Sequence, residues 1–81
     1  MPTAISRYIQ RSDSYTETVD VYARLGTYPQ EEGDGIYAGS ASFQPWQTQV
    51  VFTWTPPTDG TWKLIGVPVY RRGTGPFGKL N

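Results

Sequence analysis

From Thr48 to Thr55 the chain alternates, with Val50, Phe52 and Trp54 on one side and Gln49, Val51, Thr53 and Thr55 on the other. A period of two is that of a pleated strand, whose successive side chains point to opposite faces. Val, Phe, Thr and Trp also suit a half-buried pleat. Pro56-Pro57 closes the run and rules out a continuing helix, because proline lacks the amide donor and fixes φ. A second apolar run, Thr61 to Arg72, follows the polar Thr58-Asp59-Gly60. Two such runs around a glycine-bearing turn predict a hairpin over Gln47–Arg72 with a three-residue loop. That register sets Trp54 opposite Leu64, Phe52 opposite Gly66 and Val51 opposite Val67, with the Phe52 ring shielding the strand glycine. The return strand is apolar on both parities, so a bulge near Gly66 or a second covering layer is expected. The second layer would be the N-terminal segment or another subunit. Pro68 cannot donate to a ladder and marks an edge or a bulge.

Alternation also predicts a strand within Ser14–Tyr28, with Val19, Val21, Ala23 and Leu25 on one face and Thr18, Asp20, Tyr22 and Arg24 on the other. Gly26 and Pro29 end it, and QEEGDG (30–35) reads as a polar loop. Gly35–Phe43 reads as a further strand, with Tyr37, Ala41 and Phe43 on one side. Near the N-terminus, Ile5, Tyr8 and Ile9 are spaced like one face of a short helix, yet two turns are too few to be stable alone. The segment is therefore expected to be an arm holding a short strand or a helical turn. Gly73–Asn81 is rich in Gly and Pro and reads as a C-terminal arm carrying Phe77. The expected architecture is a small antiparallel β-sandwich or barrel of four to six strands over residues 14–72, with extended arms at 1–13 and 73–81.

VVFTWTPPTDGTWKLIGVPVYRRGTG, about a third of the chain, resembles the second and third strands of a fibronectin type III domain. The likeness rests on a strand tryptophan, a proline-rich turn and a tyrosine-bearing strand ending in arginine: Trp54, Pro56-Pro57, Tyr70 and Arg71. It implies sandwich-like hairpin chemistry and carries no functional residues across.

Composition narrows the functional classes. A chain of 81 residues makes one domain and buries roughly 60–65% of its unfolded surface. Apolar burial then barely exceeds an ordering cost of about 1.5 kcal/mol per residue. Neither Cys nor His occurs, so no disulfide and no ordinary structural zinc site is expected. Docking on copies or on a larger body is the remaining device for stabilisation. The three Trp, six Tyr and three Phe include residue types enriched at protein interfaces. Seven basic and seven acidic residues cancel, which gives no overall field for nucleic acid. Their distribution is uneven, with basic ends and an acidic stretch between Asp13 and Asp34, a layout suited to copies meeting head to tail. No apolar run of about 7–15 residues marks a signal peptide, and no membrane partner is expected.

The search for chemistry yields little. Without Cys or His there is no nucleophile–base pair, so the chain is not expected to be an enzyme or to hold a cofactor. Glu31, Glu32 and Asp34 offer clustered oxygens for a hard cation, but their spacing matches no calcium loop. Gly73-Thr74-Gly75-Pro76 lacks the lysine of a P-loop. Trp46, Trp54 and Trp62 recur every eight residues; they are either core partners or, with Lys63, Arg71 and Arg72 nearby, a stacking row for sugars or bases. The leading expectation is a structural interaction protein that decorates, cements or joins a larger assembly. In overall style the chain is similar to small accessory proteins of phage virions, such as decoration or head–tail joining proteins. Its partners would then be copies of itself or a larger capsid or tail protein, and its location the virion, or otherwise the cytoplasm. Ile5, Tyr8, Ile9, Trp46, Arg71, Arg72 and Phe77 are the candidate contacts. A carbohydrate-binding module and a small inhibitor acting by β-edge binding are the alternatives.

Overall fold

The computed structural model describes residues 2–10, 17–30, 34–69 and 78–80. They form β1 (Ile5–Gln10), β2 (Glu17–Leu25), β3 (Ile36–Phe43), β4 (Gln49–Trp54), β5 (Trp62–Pro68) and β6 (Gly78–Lys79). The strands make two antiparallel sheets, a pair β1-β4 and a four-stranded sheet ordered β3-β2-β5-β6. Their facing sides share one core, in which Ile9 and Phe52 of the pair meet Val19, Val21, Ala23, Phe43 and Leu64 of the larger sheet. The molecule is a small all-β sandwich, as the alternation implied.

The expected hairpin does not form. β4 pairs with β1, Trp54 lying opposite Ile5 and Phe52 opposite Arg7. β5 pairs instead with β2, Leu64 opposite Ala23 and Gly66 opposite Val21. The segment between β4 and β5 is an arch that carries the chain from one sheet to the other. Pro56-Pro57 explains this locally, since two residues without amide donors cannot close a tight hairpin ladder. The apolar faces explain it globally. Coplanar strands would leave both the Val50/Phe52/Trp54 row and Trp62/Leu64 seeking a second layer, whereas opposed strands cover each other. Trp54 and Trp62 meet edge to face, with ring centroids 5.5 Å apart, a favourable quadrupolar arrangement. The Trp62 indole Nε1 donates to the Thr58 carbonyl at 2.8 Å, and the Gly26 amide donates to Thr61 O at 2.8 Å. Both tie the arch to the body.

A strand glycine is shielded by an aromatic ring, but at another site. The Phe52 ring lies against Gly39, and Gly66 is covered by Val19 and Leu80. The bulge is displaced too. Between β2 and β3 the register jumps from Val21↔Gly39 to Tyr22↔Tyr37, leaving Ala38 as the extra residue. One extra residue reverses parity. Phe43 and Ala41 therefore face the core, while Tyr37 turns to the outer face and meets Tyr22, ring centroids 5.7 Å apart. At the start of β3, Gly35 has φ +87°, and a Cβ there would collide with the Ala23 carbonyl oxygen. Only glycine turns the chain at that point.

β5 is buried on both faces, as its composition suggested. Ile65 and Val67, on the side away from the shared core, are 2% and 0% exposed within the single chain. Residues 5–10 do not cover them, because they are a strand of the other sheet and not a helical turn. Among the described residues β6 pairs with Ile65 and Gly66 of β5, and Pro68 stands opposite Val19 at the end of the β2–β5 ladder. Leu80 then enters the core.

Candidate interaction edge

β3 and β4 run along one side of the sandwich, lying against each other and joined by the short arch Gln44–Thr48. Reciprocal hydrogen bonds fix that arch. The Gln47 amide donates to Gln44 O at 2.9 Å, and the Gln44 amide donates to the Gln47 side-chain Oε1 at 2.8 Å. Pro45 restricts φ at the turn. Trp46, at its apex, is 77% exposed. A large apolar ring displayed on a rigid, doubly bonded turn is a costly feature to leave in water and a ready interface anchor.

The outer face of the small sheet continues from this arch. Strand alternation turns Ile5, Arg7 and Ile9 toward the core and leaves Ser6, Tyr8 and Gln10 outside. Directly opposite them stand Thr53, Val51 and Gln49. Ser6 Oγ and Thr53 Oγ1 are 3.0 Å apart and share a hydrogen bond. Tyr8 and Val51 form an exposed apolar pair. This face carries no charge. From Gly35 to Thr58, a stretch that contains β3, the arch and β4 entire, the sequence has no Asp, Glu, Lys or Arg. That signal was readable from the chain alone by following where charges stop rather than where they cluster.

The sequence-stated contacts are thus divided. Tyr8 and Trp46 are on the surface beside the charge-free edge, whereas Ile9 is in the core and Ile5 packs against it. Arg71, Arg72 and Phe77 lie outside the described residues. So do Glu31 and Glu32; their neighbour Asp34 accepts from Arg24 at 3.1 Å and from the Gln30 amide at 2.7 Å through the same oxygen, Oδ2. The three tryptophans do not form a row, since Trp54 and Trp62 face each other and Trp46 stands apart.

The outer face of the larger sheet is different in character. Tyr28 receives two ammonium groups, Lys63 Nζ at 5.4 Å and Lys79 Nζ at 4.8 Å from its ring centroid, within cation–π range. With Arg24 and its partner Asp34, this end of the face is charged, whereas Ile65 and Val67 of the same face are buried and the β3–β4 edge is neutral. The two sides of the sandwich therefore offer distinct chemistry to anything that approaches. No protein-family model matches this chain, and no curated protein or solved structure is found similar to it.

Proposed function

We propose that this chain is a structural interaction protein that docks on a larger assembly, in the manner of the small accessory proteins of phage virions, with Trp46 as its anchor. The single observation that supports this most is the exposure of Trp46 on an arch whose hydrogen bonds hold it in place. A preorganised ring loses little freedom on binding. Burying it adds roughly 2–3 kcal/mol or more at an interface centre. The uncharged flank formed by β4, with Tyr8 beside it, lets a partner approach without desolvating ions. The β-edge inhibitor alternative draws on the same flank and differs in its partner, a single soluble enzyme. A glycan platform calls for coplanar exposed rings, which the Trp54–Trp62 pair does not supply.

The test is gradient sedimentation of particles from the native source, with the chain supplied as wild type or as Trp46→Ala. Wild type is expected to co-sediment in fixed stoichiometry, and the variant to stay at the top of the gradient while keeping its β-sheet circular dichroism. A wild-type chain that never sediments with a particle, or a variant that attaches equally well, contradicts the proposal.

A further inference from the structure

We infer that two copies of this chain join through β4, edge to edge and antiparallel, about a two-fold axis at Val51. The inference deepens the interaction reading and rests on it, naming a second copy as the partner of the charge-free edge.

Among the described residues β4 is paired on one side, by β1, and on no other. A strand so placed presents a row of backbone donors and acceptors that templates another strand. Natural sheets blunt such edges with charges, prolines, bulges or short length. The other three edges here each carry such a device. β3 has the bulge at Ala38, β6 is two residues long and bears Lys79, and β1 bears Arg7. β4 has none. Its six residues hold an unbroken register with β1 and include no charge and no proline.

The occupant follows from the side chains. An uncharged strand offers a charged partner no counter-ion, while a copy of itself brings no charge to bury. Antiparallel pairing about Val51 sets Gln49 opposite Thr53 of the copy and Thr53 opposite its Gln49, amide against hydroxyl. Val51 meets Val51. Because opposed residues share a face, the outer surface gains an unbroken apolar row of Tyr8, Val51, the copy's Val51 and the copy's Tyr8, with favourable cross-strand contacts. The interface is isologous, as a closed dimer requires. The joint sheet becomes four-stranded, β1-β4 continued by the copy's β4 and β1, matching the strand number of the sheet beneath. A six-residue strand pairing lies at the small end of interface sizes, so the dimer exchanges with monomer as concentration changes. Trp46 lies outside the paired segment and stays available to a larger body.

Sedimentation equilibrium over a dilution series tests this on the full chain. Wild type is expected to pass from one copy to two. Val51→Lys and Val51→Glu, each placing like charges face to face across the axis, should each weaken association tenfold or more. An equimolar mixture of the two variants should associate again. Should the Val51 variants lose their circular dichroism, the double variants Gln49→Lys/Thr53→Lys and Gln49→Glu/Thr53→Glu, at exposed positions of the same face, repeat the test. Like charges then oppose in each homodimer and unlike charges in their mixture. Wild type that sediments as one copy throughout, or variants that self-associate as well as wild type, overturns the inference. Particle attachment separates the two proposals: Val51→Lys should still co-sediment with particles through Trp46, and Trp46→Ala should still dimerise.

Discussion

Among the described residues, Glu17 has a buried side-chain oxygen, Oε1, without a hydrogen-bond partner. It stands on the core side of β2, opposite Phe43, and is 3% exposed. A carboxylate oxygen left unpaired in an apolar setting costs stability that a methylene-rich side chain of like length would not. Glu17→Met is therefore expected to stabilise the fold by about 1–3 kcal/mol, which raises the melting temperature by about 4–8 °C per kcal/mol in a chain of this size. Thermal denaturation checks it, and a lower melting temperature would mean that the carboxylate has a partner worth keeping. The same parity logic made much of β4 legible: Val50, Phe52 and Trp54 do face the core. It misplaced Tyr37, because a single bulge residue at Ala38 inverts the faces of β3, and nothing in a string of small residues announces which of them is doubled. Glu17 itself was legible only as a polar residue on a strand.

At the scale of elements, the main lesson concerns which strands pair. Apolar run, turn signal and apolar run favour a hairpin when only neighbours in sequence are weighed. The ladder between Ile5–Gln10 and Gln49–Trp54 joins segments far apart in sequence, and alternation alone does not name such partners. The spacing of Ile5, Tyr8 and Ile9 fits a helix as well as it fits a strand with one outward tyrosine. Tertiary pairing decides between them. Engineered cysteines distinguish the two topologies cleanly in a chain that has none of its own. Tyr8→Cys with Val51→Cys puts thiols on directly opposed residues, close enough to bridge. Under mild oxidation this pair is expected to close an intramolecular disulfide with retained structure, whereas Trp54→Cys with Leu64→Cys, opposed only in the hairpin arrangement, should not. Closure of the second pair and not the first would restore the hairpin.

As a whole, the molecule is a sandwich with a neutral side and a charged side. One small sheet with an unprotected edge lies over a larger sheet whose outer face gathers Tyr28, Lys63, Lys79 and Arg24. The charge-free stretch from Gly35 to Thr58 was legible in the sequence, yet that it forms one continuous side, the surface proposed for docking, became visible only once β3 and β4 were placed side by side. Amide hydrogen exchange along Gln49–Trp54 addresses the central claim, that the chain docks through this edge, most directly. In dilute protein the β4 amides directed at β1 should exchange slowly and those directed away quickly. On raising the concentration, the fast set should become protected while the Tyr28–Lys63–Lys79 face stays unchanged. Uniform protection of β4 at every concentration, or protection that grows on the charged face instead, would contradict it.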